Sequence, residues 1–184
     1  MPIVHIAVVD APWGPIHLAA WDRGLLACES LTPFEPFVER LGRRLRAEVD
    51  EGRHELLDAA TIEISEFLAG RRRTFDLPID VADRPAWDRA VLAAVCDVPW
   101  GVVASYGQIA RAVDRPGAAR AVGGAVARSP IGIVVPCHRI VAADGSLGGY
   151  GDGDGLGFGS RDAGLRLKRE LLRREGIDIP LPVR

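Results

Sequence analysis

The hydrophobic period of this chain changes once, near residue 80, and that change limits its architecture more than any other feature. Before it, the β-branched and apolar runs Ile3–Val9, Ile16–Trp21 and Leu25–Leu31 are separated by Pro/Gly and Asp-Arg-Gly turn chemistry, which predicts a small antiparallel meander. Phe34, Phe37, Val38, Leu41 and Leu45 then recur at helical spacing, as do Leu57, Ala60, Ile64 and Phe67. Arg71-Arg72-Arg73 reads as a solvated loop ahead of a short strand candidate, Thr74–Ile79. Past Asp80–Pro85 the spacing is helical, with Trp87, Val91 and Val95 on one face. Strands grouped ahead of helices predict an α/β protein of the α+β kind. Its expected parts are an N-terminal sheet-and-helix domain over 1–80 and a mostly helical domain over 85–184.

Within the second half, Ser105-Tyr106-Gly107-Gln108 has the form of a capping box and opens a short helix. Pro116 suits the first turn of the next helix, Ala118–Ala127, and the pair suggests a helix-turn-helix. That second helix is poor in bulk. Gly123 and Gly124 each cost about 0.8–1 kcal/mol relative to Ala in a helix interior, so something must approach closely. Tight packing on a neighbouring helix and close approach to a nucleic-acid groove, with Arg120 projecting, both fit. Ile131–Val135 reads as a buried strand stopped by Pro136 and followed at once by Cys137-His138-Arg139. A final helix carries Leu165, Leu167, Leu171 and Leu172 and ends at Gly176.

Composition narrows the setting. With 48% hydrophobic and 26% charged residues in 184, a disordered or collagen-like chain is excluded. No apolar run reaches the roughly 18–20 residues that span a bilayer, and Met-Pro-Ile-Val-His lacks the layout of a secretion signal. Three widely spaced cysteines (Cys28, Cys96 and Cys137) argue for a reducing interior, so a cytoplasmic location is expected. Net charge is −2, yet Arg111–Arg139 holds five arginines against Asp114 alone. The stretch 161–175 holds six basic residues against three acidic, as a local anion-binding face requires. Lys168 is the only lysine among 23 basic residues, so arginine is the default cation here. His5, His17 and His54 lie far apart and there is no Cys-x-x-Cys, so no metal site is expected. Gly145–Gly159 contains eight glycines. Its acidic part, Gly151-Asp152-Gly153-Asp154-Gly155, fits neither an EF-hand nor a stacked calcium array and reads as a mobile loop.

Cys137 is the best nucleophile candidate because a Pro-fixed turn holds its sulfur rigidly. A free thiol has a pKa near 8.5, so a neighbouring base or cation must lower it, and His138 and Arg139 are adjacent. If the segment is extended, His138 points to the opposite face and reaches the sulfur through a water. Glu175 sits in the last helical turn, where the dipole disfavours a carboxylate. It pairs either with a flanking arginine or with the histidine of a Cys–His–Glu chain. Cys28 and Cys96 lie in apolar patterns and are expected in the core.

Val135-Pro136-Cys137-His138-Arg139-Ile140-Val141, with Ala119-Arg120-Ala121-Val122-Gly123 before it and Gly149-Tyr150 and Lys168-x-x-Leu171-Leu172-x-x-Glu175-Gly176 after it, resembles the O6-alkylguanine-DNA alkyltransferases. The resemblance runs from about Asp80 to Gly176. It implies a minor-groove helix-turn-helix, a flipped nucleotide and irreversible transfer of its alkyl group, from guanine O6 or thymine O4, to cysteine. By that likeness Cys137 is the acceptor, His138 the water-mediated base, Glu175 its orienting carboxylate and Tyr106 the residue assisting flipping and leaving-group protonation. Arg120 is then the finger that fills the stack, and Ala119, Ala121 and Gly123 the small groove-facing residues. Tyr150, Ser129, Val135 and Ile140 form the substrate pocket. The implied partner is double-stranded DNA carrying O6-alkylguanine, bound by a monomer without a soluble cofactor or a membrane. Two departures stand out: Ser129 occupies the place of an asparagine, and the segment after Tyr150 is longer than in the family. A lesion-binding regulator without transfer and a thiol hydrolase remain as alternatives.

Overall fold

Three strands, β1 (Ile3–Val9), β2 (Ile16–Trp21) and β3 (Gly24–Ser30), form the expected antiparallel meander, with Val9 opposite Ile16 and Trp21 opposite Gly24. The structure is a computed structural model that describes residues 2–151 and 159–182. The acidic glycine segment 152–158, with its loop reading, lies outside them. The described chain divides into two compact units, Met1–Asp83 and Arg84–Arg184.

In the first unit the sheet gains a strand that the sequence pattern hides. β4 (Glu48–Asp50) pairs parallel with β1, and the order is β3-β2-β1-β4. Three residues flanked by charge are a usual way to blunt a sheet edge, and they carry no hydrophobic alternation to read. Helix α1 (Phe34–Leu45) packs Phe37 and Leu41 on Val4, Ile6, Ala19 and Leu26. Helix α2 (Glu55–Leu68) buries Leu57, Ala60, Ile64 and Phe67, the four residues whose spacing predicts it. On β2, Ile16 and Leu18 are buried as fully as His17 and Ala19, because the central strand is covered on both faces. Thr74–Ile79 is not a strand. Only Ile79 bridges Leu25, where the Leu25 N–H donates to the Pro78 carbonyl and the Asp80 N–H to the Leu25 carbonyl, both at 2.8 Å.

The second unit opens with α3 (Ala86–Cys96), which buries Val91, Leu92 and Val95 together with Asp88. Cys28 is in the core as expected, whereas Cys96 is exposed, one step off the face that α3 buries. Helix α4 (Tyr106–Ala112) has the full capping box: the Gln108 N–H donates to Ser105 Oγ at 3.1 Å and the Ser105 N–H to Gln108 Oε1 at 2.7 Å. Helix α5 spans Ala119–Ala127, so Pro116 lies in the connecting turn rather than in the helix. The predicted strand Ile131–Val135 is instead a buried turn, with Ile133 at φ +65°. A β-branched residue there is strained, and the apolar run reflects burial, not extension. A 3-10 helix over Cys137–Arg139 follows. Short strands β5 (Ala104–Ser105) and β6 (Ile140–Val141) pair in parallel, setting the start of α4 beside the end of that turn. Helix α6 (Arg161–Arg174) is capped by Ser160 Oγ at its start. It ends with Glu175 and with Gly176 at φ +83°, the Ile177 N–H donating back to Leu172. The α+β class holds throughout. No helix among the described residues is long and apolar enough to cross a membrane.

Gly24 lets segment 78–80 close on β3, since a Cβ there would lie 2.9 Å from the Ile79 carbonyl carbon and 3.0 Å from Pro78 O. Gly24→Ala is therefore expected to destabilise the chain by about 1–3 kcal/mol, checked by urea unfolding against the wild type.

Candidate active site

Cys137, His138 and Arg139 occupy one tight turn, so their side chains fan around an axis instead of alternating as an extended segment requires. Pro136 opens the turn, the Cys137 N–H donates to Val135 O at 2.7 Å and the Arg139 N–H to Pro136 O at 2.9 Å. All three residues are buried, His138 completely and Cys137 to 5% exposure.

The turn is anchored on Glu175, at the end of α6. His138 Nε2 lies 2.7 Å from Glu175 Oε1. Arg139 Nε donates to both carboxylate oxygens at 3.1 and 3.0 Å, Arg139 Nη2 adds a 3.0 Å bond, and the Gly101 N–H donates to Oε2 at 3.0 Å. Arg139 Nη1 also reaches Val98 O at 2.6 Å. Burial alone would raise the Glu175 carboxyl, but the bonds from His138, Arg139 and Gly101 outweigh it and hold the group at about 2. His138 is pushed below its ordinary value, burial prevailing over the carboxylate, so its ring is neutral at pH 7. Glu175 thus takes the histidine, one of the two partners expected from its sequence position; the arginine it also holds is the distant Arg139, not one of those flanking it in α6.

The thiol differs from its sequence expectation. Burial raises Cys137 to about 11, against a hydrogen bond from the Ser129 hydroxyl and the positive charge of Lys168. Neither neighbouring side chain depresses it: Arg139 is engaged on Glu175. The resting group is a thiol.

Ser129 follows α5 directly, its N–H donating to Val126 O at 3.1 Å, and its side chain meets the Cys137 sulfur. Tyr106, first residue of α4, is also within electrostatic reach of Cys137; its hydroxyl bonds the Gly149 backbone, and burial raises its pKa. Gly148 leaves room for that ring, because a Cβ there would lie 3.0 Å from the Tyr106 oxygen. Gly123 is half-buried and turned to the same ring, 3.8 Å from where its Cβ would be. Tyr150 is half-buried, and its carbonyl sits where a Cβ on Gly164 of α6 would be. Val135 and Ile140 are fully buried, their backbone carbonyls serving the site. Arg120 and Ala121 are exposed on α5 and Ala119 is half-buried. These three stand on the helix surface, not among the groups around the sulfur.

Two residues with no role in the sequence reading prove central. Lys168 is fully buried, and its ammonium donates to the carbonyls of Ile140, Leu147 (2.6 Å) and Gly149 (3.0 Å). It lies 5.9 Å from the Tyr106 ring centroid, and burial lowers its pKa to about 8. Its being the only lysine was the available signal. Arg128, the residue that caps α5, forks onto the buried carboxylate of Asp88 in α3 at 3.0 and 2.7 Å. Nothing in local spacing reveals that pair.

The family model described as 6-O-methylguanine DNA methyltransferase, DNA binding domain, matches residues 86–177. A methylated-DNA–protein-cysteine methyltransferase of Mycobacterium bovis is 36% identical over 97% of this chain and 96% of its own length. Another, from Methanosarcina acetivorans, is 31% identical over 94% of this chain and 99% of its own. Among solved structures, Mycobacterium tuberculosis OGT in complex with DNA superposes with a TM-score of 0.73 at 32% identity, covering 94% of this chain and 92% of that one. Similarity of this extent, reaching well beyond the Pro-Cys-His-Arg segment, shows that the chain belongs to the 6-O-methylguanine DNA methyltransferase family.

Proposed function

We propose that this chain repairs alkylated double-stranded DNA by moving an alkyl group from guanine O6, and from thymine O4, onto Cys137, once per molecule. The observation that carries this reading is the buried His138–Glu175 pair at 2.7 Å on the same turn as the cysteine. With Nε2–H given to the carboxylate, the lone pair of the neutral imidazole sits on Nδ1, ready to take the thiol proton through a water. Sulfur then attacks the alkyl carbon. The carbon–sulfur bond forms as the carbon–O6 bond breaks, and its electron pair leaves on guanine, which takes a proton from Tyr106. A thioether has no ready route to hydrolysis, so the protein is consumed. No soluble cofactor enters this scheme.

Proton transfer is needed because the resting thiol is neutral at pH 7. Ser129 donates to the sulfur and Lys168 places positive charge near it; both favour the thiolate as it forms.

Residues 85–184 carry both DNA binding and the acceptor, with 1–80 as a separate domain. Helices α4 and α5 act as a helix-turn-helix in the minor groove. Exposed Arg120 enters the stack in place of the flipped base, offsetting an unstacking cost of a few kcal/mol. Ala119, Ala121 and Gly123 keep α5 slim, and Tyr150, Ser129, Val135 and Ile140 bound the base pocket. The protein acts as a monomer in the cytoplasm, a reducing compartment that suits a thiol acceptor at Cys137.

Incubation with an O6-methylguanine duplex is expected to add one methyl group to the Cys137 peptide by mass spectrometry; an unmodified peptide under reducing conditions would falsify the scheme. Cys137→Ala should abolish transfer while duplex affinity in a gel-shift titration stays within about twofold, because groove contacts and acceptor lie on different segments. Arg120→Ala should slow transfer from duplex DNA by about tenfold yet leave transfer from the free O6-alkylguanine base unchanged. A depressed Glu175 carboxyl contributes stability that is complete above its ordinary value of 4.5 and lost as pH falls toward about 2. Glu175→Gln is thus expected to remove about 3 kcal/mol of pH-dependent stability across that acid window, measured by urea unfolding at stepped pH.

A further inference from the structure

Arg128 and Asp88 belong to none of the steps above, yet they form a second guanidinium–carboxylate fork in the second unit, besides the pair made by Arg139 and Glu175. Asp88 is 2% exposed, and both its oxygens take donors from the guanidinium, at 3.0 and 2.7 Å. Room for that guanidinium comes from α5 itself: a Cβ on Gly124 would lie 3.1 Å from Arg128 Nη1. One of the two unfavourable mid-helix glycines is therefore explained by an internal side chain. The neighbouring Trp87 donates from Nε1 to Ala121 O at 3.3 Å, so the first turn of α3 grips α5 at two points.

Ser129 is the residue immediately after this grip. Its hydroxyl serves the Cys137 thiol, but its own restraints are weak: contacts with the Ile131 N–H and carbonyl at 3.4 and 3.5 Å. A short side chain without an amide arm has its position set by its backbone, hence by the end of α5. We propose that the Asp88–Arg128 fork is a positioning element for alkyl transfer, holding the Ser129 hydroxyl at the Cys137 sulfur from the end of α5. This rests on the acceptor role given to Cys137 above.

The test compares Arg128→Met, Ser129→Ala and the double variant in the full chain. Three quantities are read: single-turnover methyl transfer, the pH dependence of iodoacetamide labelling mapped to the Cys137 peptide, and affinity for undamaged duplex. Lys168 and Cys96, whose charges also reach the thiol, are unchanged throughout. Arg128→Met is expected to slow transfer at saturating duplex by about tenfold and to move the labelling midpoint, read without DNA, to higher pH. In the Ser129→Ala background it should change neither, because its effect passes through that hydroxyl. Effects that multiply in the double variant would overturn the proposal, as would a wild-type labelling profile in Arg128→Met. Should that variant not fold, Arg128→Lys alone and with Ser129→Ala gives the same comparison, since lysine keeps the charge and loses the fork. A wild type that labels normally but transfers no methyl group would reject the alkyltransferase reading, while the labelling profiles still decide the positioning role.

Discussion

The Glu175 carboxylate is the point on which the site is assembled. It is buried, so it must be satisfied, and it is met by an imidazole and a guanidinium from one turn and a backbone N–H from a second stretch of chain. That one charge draws the 137–139 turn, the Val98–Gly101 corner and the end of α6 together. Lys168 does the complementary work about two turns earlier on α6, where a buried ammonium collects carbonyls from β6 and from the Leu147–Gly149 segment. A single helix thus holds the two sides of the cysteine turn with opposite charges, and Tyr106 is packed between that helix and α5.

The extent to which this was legible in the sequence follows from what local pattern encodes. Elements with full amphipathic repeats, such as α2 with Leu57, Ala60, Ile64 and Phe67, were readable because burial and periodicity coincide. The capping box at Ser105 was readable because its two bonds are made within four residues. Ile131–Val135 misled because a continuous apolar run reports burial alone, and Ile133 takes a left-handed conformation that favours no β-branched residue. β4 escaped because its pairing with β1 is made by backbone groups beneath Glu48, Val49 and Asp50.

Cys137 and His138 were legible from their adjacency and Glu175 from its odd position against the helix dipole. What joined them was not, since His138 and Glu175 stand 37 positions apart and are bridged only in three dimensions. Arg128 was indistinguishable in sequence from the other arginines, and Lys168 stood out as the lone lysine but took its role from the carbonyls around it. The two glycines of α5 needed a close neighbour; the fold supplies the Tyr106 ring for Gly123 and a guanidinium for Gly124.

The elevated pKa of Cys137 has an outcome for a protein that works once. Peroxides, disulfides and adventitious electrophiles react with the anionic form of sulfur, and shielding it as S–H inside the fold slows them all. On the proposed function, the residue with a single use is kept chemically dormant while the protein scans, and is roused only by a correctly seated base.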